Sequence, residues 1–123
     1  MLPRSHRLTR REDFRRVIRS GVKASSSTVI VHGLLPGSGR GFEEPARVGI
    51  TVSRAVGGSV VRHRVARQIR HIVAHELKAL PAGSSWVIRA LPASTSGPVA
   101  GDIQRCLSRI VSAQVAAARA ATE

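Results

Sequence analysis

Tyrosine is absent from this 123-residue chain, and Phe14, Phe42 and Trp86 are its only aromatic residues. Binders of single-stranded nucleic acid commonly stack bases on interleaved aromatics, so an aromatic RNP-type sheet is excluded. The lone Cys106 rules out an internal disulfide and, on the apolar side of a helical pattern, reads as an inert core thiol. No apolar run approaches the roughly 20 residues of a membrane helix, and none follows the early arginines as a secretory signal requires. The expectation is a cytoplasmic chain with no membrane role.

Acidic residues are scarce as well, seven against 20 lysines and arginines. The adjacent pairs Glu12-Asp13 and Glu43-Glu44 fall at a helix start and in a loop, and neither has the look of a two-metal carboxylate site. G-x-S-x-G and P-loop motifs are missing too. His71 and His75 stand four apart on one helical face, the spacing of a metal clip, with Glu76 beside them. Their order does not match H-E-x-x-H and no second ligand set accompanies them, so a basic surface is the better reading. Neither catalytic side chains nor a protein-held metal are expected.

What is abundant is positive charge. The net charge of +13 and the pI of about 12.0 exceed what solubility needs and point to a polyanion. Lys23 and Lys78 are the only lysines. Arginine's planar fork grips phosphate through two parallel hydrogen bonds, which suits a nucleic-acid partner. The length fits one domain, residues 1–123, with a basic arm over about 1–8 and a tail from about 116 that the pattern leaves unstructured.

Along the chain, Thr9 and Glu12 have capping-box spacing, and Phe14, Val17 and Ile18 recur at helical intervals. This predicts a helix over residues 10–19, stopped by a left-handed Gly21. Residues 28–35 and 47–53 are β-branched and read as strands, with residues 22–27 as a third if they pair. PGSGRGFEEPA between them is a turn-forming loop. Val61, Val65, Ile69, Ile72, Val73, Leu77 and Leu80 then form an apolar helical stripe that Pro81 ends. Arg64, Arg67, His71, His75 and Lys78 fall on the opposite side, at about 100° per residue. A strand over 85–91 and a helix from Asp102 complete one mixed α/β unit.

Three features favour nucleic acid. Seven arginines crowd into residues 1–20. Gly57-Gly58-Ser59 opens a helix, where free amides can hold a phosphate, or where glycines simply serve the turn. Arg62 and Arg70 lie toward or at the border of the apolar stripe, which an ordinary charged face does not require, though Arg62 at an exposed end of a sheet could emerge past the core.

Taken together, HRLTRREDFRRVIRSG, RVGITVSR, AVGGSVVRHRVARQIRHIV and SWVIRALPAS resemble, in this order, the bacterial ribonuclease P protein component, over residues 7 to about 109. The most specific part is similar to the family's RNR signature, written here Arg62-His63-Arg64, followed by Arg67 and Arg70. The resemblance implies an αβββαβα sandwich with an unusual left-handed βαβ crossover, contrary to the usual hand. It also implies a subunit that joins a catalytic RNA to remove the 5′ leader of precursor tRNA, with Mg²⁺ held mainly by the RNA and the substrate and no stable protein partner. Arg54, Arg62, His63, Arg64, Arg67 and Arg70 then become contacts to the catalytic RNA. Arg11, Phe14, Arg15, Ile18 and His32 become walls of a leader cleft. The chain departs from the family at His63 for asparagine, at Ala66 for lysine, at Gly57-Gly58-Ser59 for Gly-Asn-Ala, and at Ile18 and His32, where cleft aromatics are lost. Two other classes stay open: a structural or regulatory basic nucleic-acid binder, and a protein-only nuclease using His71, His75 and Glu76.

Overall fold

The computed structural model describes residues 4–35 and 45–122. Most of the PGSGRGFEEPA loop, with Phe42 and Glu43-Glu44, lies outside them. The elements run α1 (Arg11–Ser20), β1 (Val22–Ser25), β2 (Val29–Leu34), β3 (Arg47–Val52), α2 (Ser59–Glu76), β4 (Ser85–Ala90) and α3 (Val99–Thr122). Short 3₁₀ turns fill Arg4–His6, Leu77–Ala79 and Pro92–Thr95. This is the αβββαβα order, and residues 22–25 do pair. α3 starts at Val99, ahead of the expected Asp102, and continues through the tail from 116 as far as Thr122. The end of the basic arm is also tied down: the Leu8 amide donates to the Val48 carbonyl at 3.0 Å, and Arg7 bridges Val48 in parallel.

That tether moves the start of α1. Arg10 occupies the N-cap with extended backbone and no side-chain cap bond, while the amides of Asp13 and Phe14 both donate to the Arg10 carbonyl. The Thr9–Glu12 capping box is therefore not made. Gly21 is not left-handed either; its φ is −82° and its ψ 170°. It is small because a Cβ there would lie 2.5 Å from the Val17 carbonyl oxygen and 2.7 Å from that of Gly33.

The sheet order is β1-β2-β4-β3, antiparallel except for the parallel pair β3 and β4 that α2 connects. Successive strand residues point to opposite faces. On one face Val31, Val48, Trp86 and Ile88 meet Val65, Ile69 and Val73 of α2 and Ile103, Leu107 and Ile110 of α3, and Cys106 is buried among them. Gly33 makes room for the indole, since a Cβ there would come 2.3 Å from the Trp86 ring. On the other face α1 packs Val17 and Phe14 over Val87, Leu8 and Leu34, a smaller cluster that leaves part of the sheet uncovered. Among the described residues no helix is long and apolar enough to cross a membrane.

Asp102, 2% exposed, ties the start of α3 to the β1–β2 turn. It accepts from Thr28 Oγ1 at 2.6 Å and Ser27 Oγ at 3.3 Å, and it pairs with Arg105. The Thr28 hydrogen bond is the chief reason its carboxyl titrates below its usual value of 3.8; Ser26, Ser27 and Arg105 help, and burial opposes them. A depressed carboxylate stabilises the fold above its unfolded pKa, and that stability is lost as pH falls through the folded one. In urea titrations Asp102→Asn is accordingly expected to be less stable than the parent at neutral pH, with the gap constant down to about pH 4 and closing below it. A gap that stays constant into strong acid would contradict this role.

Candidate nucleic-acid interface

Two basic surfaces lie on opposite sides of the sheet. The first belongs to α2, which the apolar stripe pins to the core through Val65, Ile69 and Val73. Helical spacing then sends Arg67 straight outward, Arg64 to one flank, and His63 and Arg70 to the other; all four are exposed. Arg62 sits nearer the core, half-buried against the edge of the sheet, and its Nε is out of water with no hydrogen-bond partner. It shares a hollow with Ile50, Val52, His63, Ala66 and Arg70. Arg54 is exposed in the turn that leads from β3 to α2. The six residues expected on this surface thus share one helix and its approach.

The start of α2 has no side-chain cap bond and no acidic residue in its first turn. Its two glycines differ in purpose. A Cβ on Gly57 would meet Val61 at 3.0 Å, whereas one on Gly58 would meet nothing within 4 Å. Gly57 serves packing, and nothing in the packing requires Gly58. On the outer face the rings of His71 and His75 meet edge to face, centroids 4.9 Å apart. Glu76, the third member of the nuclease idea, turns away and accepts from Gln104 Nε2 at 2.9 Å.

The second surface is the uncovered part of the other sheet face. Strand register sets Ser25, Ile30, Arg89 and Thr51 side by side in one row, and Lys23, His32, Val87 and Gly49 in the next. α1 covers the second row: the Phe14 ring lies against Gly49, where a Cβ would come within 2.3 Å of it. The first row stays open, and beside it runs a cleft between α1 and the ends of β3 and β4, lined by Ile18, Thr51, Ser53, Arg89 and Leu91 among others. Ile18 is 41% exposed, and helical spacing puts the exposed Arg11 and Arg15 on the same flank of α1.

Of the expected cleft residues, Ile18 lines the opening and Arg11 and Arg15 flank it. Phe14 is half-buried in the packing under α1. His32 is only 4% exposed, is not among the cleft lining, and has no partner for either ring nitrogen. Burial first, then the charges of Arg89 and Lys23, lower its pKa, which favours the neutral ring. Sequence reading missed Arg89 and Thr51. The alternation in SWVIRA carried the signal for Arg89, which points away from the Trp86 face, but the strand's partner and register decide what it faces.

A family model for ribonuclease P matches residues 2–113. The chain belongs to the ribonuclease P family. It is 42% identical to the ribonuclease P protein component of a Nocardioides species, over 89% of this chain and 95% of that protein. It is 41% identical to the component from Streptomyces bikiniensis, over 90% and 96%. In structure it is similar to the RNase P protein of Thermotoga maritima, with a TM-score of 0.70, 22% identity, and 85% and 99% of the two chains covered. The RNase P protein of Staphylococcus aureus gives a TM-score of 0.66 at 20% identity, over 89% and 94%. At these identities the structural likeness speaks for the fold.

The two surfaces differ in how cleanly they can be probed. Phe14→Ala removes packing from under α1 and is expected to cost roughly 2–3 kcal/mol in a urea titration. Arg89→Ala, at an exposed position, should stay within about 0.5 kcal/mol of the parent. If Phe14→Ala proved as stable as the parent, the ring would not be the support that its seat on Gly49 indicates.

Proposed function

We propose that the chain acts as the protein subunit of ribonuclease P by bridging two RNAs: α2 and Arg54 dock on the catalytic RNA, and the α1 cleft holds the 5′ leader of precursor tRNA. The observation that carries this reading is the separation of the two surfaces by the sheet, so both can be occupied at once. On α2 the arginines neutralise phosphates, which gives affinity that falls with salt and little sequence preference. Within the cleft, Arg89 supplies a cation among the aliphatic side chains of Ile18 and Leu91, with Arg11 and Arg15 on the rim. With aromatics missing there, leader bases meet aliphatic side chains and weak sequence preference follows. His63 stands in the signature where the family has asparagine, and its imidazole offers a hydrogen bond to RNA.

Among the described residues the side chains do not gather into a magnesium cage. Hard cations take several oxygen ligands. Yet Asp102 is held by Thr28, Ser27 and Arg105, Glu76 is held by Gln104, and no group of three or more His, Cys, Asp or Glu gathers among the described residues. We therefore assign Mg²⁺ and the hydrolytic step to the RNA and the substrate, and binding and positioning to this chain.

Cleavage of 5′-labelled precursor tRNA at low magnesium tests the reading, with catalytic RNA alone, protein alone and both. Stimulation in the mixture only is expected. Protein-only cleavage would favour a nuclease, and a mixture no faster than RNA alone would leave a basic nucleic-acid binder. Within a stimulated mixture, Arg67→Ala should lower the salt slope of catalytic-RNA binding by about one phosphate contact. Arg89→Ala should weaken precursor binding while leaving mature tRNA unaffected, because only the precursor has a leader. Equal losses for both tRNAs would move the leader elsewhere.

A further inference from the structure

We infer that the hollow between α2 and the open end of β3 receives a single unstacked nucleotide of the catalytic RNA. This rests on the docking surface proposed above and adds to it a contact that phosphate neutralisation does not supply. β3 is an edge strand. Arg7 and Leu8 cover the first half of its outer edge at Val48, and beyond that, among the described residues, no strand pairs with the outer edge at Ile50 and Val52, whose other edge meets β4. The hollow there has an apolar floor of Ile50, Val52 and Ala66 and a rim of Arg62, His63 and Arg70. An aliphatic floor suits the face of a base or ribose, and guanidinium groups at the rim suit the phosphate joined to it. A uniform row of phosphates would leave the floor unused.

Two further observations point to the same occupant. Arg62 Nε is buried without an acceptor, a costly state that an RNA oxygen at the rim would relieve with a small movement of the side chain. Ala66 is half-buried in the lining, and its single methyl leaves the hollow free where a longer side chain would reach across it. The small residue opens the floor in this chain. Because the hollow is continuous with the arginine face of α2, its occupant arrives with the RNA that docks there.

The test fills the floor without removing a charge. Ala66→Leu keeps helix propensity and every arginine. It is expected to weaken catalytic-RNA binding about fivefold to tenfold, the low end of what one base contact contributes, with the salt slope unchanged. Chemical probing of the bound RNA should show one nucleotide losing its protection. Ala66→Lys should lose the same protection while the slope rises by about one contact. Arg67→Ala should do the reverse, lowering the slope and keeping the nucleotide protected. Parental affinity and an unaltered protection pattern in both Ala66 variants overturn the inference alone. If the parent chain shows no salt-dependent binding of catalytic RNA, the docking reading falls and the inference with it. Micromolar binding of a free nucleoside monophosphate, with RNA binding by Ala66→Leu unchanged, would assign the hollow to small nucleotides and overturn the RNA assignment.

Discussion

The parallel pairing of β3 with β4 is the constraint on which the rest of the molecule depends. Parallel neighbours cannot be joined by a hairpin; the chain must cross over, and the crossover here is α2. Its stripe of Val65, Ile69 and Val73 fixes the helix on the Trp86 face, which leaves Arg64, Arg67, Arg70 and His63 outward. The same pairing brings the carboxyl ends of two strands together and sets Thr51 beside Arg89. Ligand sites in open α/β sheets favour such ends, and the α1 cleft lies there. One pairing thus positions both surfaces, on opposite faces.

Much of this was legible because periodicity is a local signal. The apolar stripe of α2, the strand character of β2, β3 and β4, and the arginines on the outer side of the helix all follow from spacing within one segment. Where sequence reading failed, the cause lay in a distant partner. Thr9 has the right chemistry for a cap, yet Leu8 is bonded to Val48 across the fold and the helix starts one residue later. Gly21 looked like a left-handed stop, but its smallness answers to the Gly33 carbonyl on another strand. Arg89 became a cleft residue only once register had put Ile30 on one side of it and Thr51 on the other. His32 shows the same limit in reverse: its place on β2 was readable, and its burial near the cations Arg89 and Lys23 was not.

Scarcity of aromatics shapes how this surface meets RNA. A stacking platform reads bases through their faces, and the chain has replaced it with aliphatic side chains framed by guanidinium groups, in the cleft and in the hollow beside α2. Such surfaces hold RNA chiefly by charge and shape. On the proposed reading the consequence is affinity that depends steeply on salt and weakly on base identity.

The distribution of acids completes the electrostatic picture. A net charge of +13 on a chain this short opposes the compact state by self-repulsion. Among the described residues, Asp102 is buried and fastens α3 to the β1–β2 turn, while Glu76, at the surface, joins the end of α2 to Gln104 of α3. Glu12 and Asp13 sit in the first turn of α1, where the helix dipole favours negative charge. Glu76 is the only acid on α2, so on the proposed reading the docked RNA supplies the countercharge for its arginines. Any ligand that binds the folded chain and not the unfolded one adds to its stability. On that reading docking relieves a repulsion that the sequence builds in, and binding and stability are coupled through the same arginines.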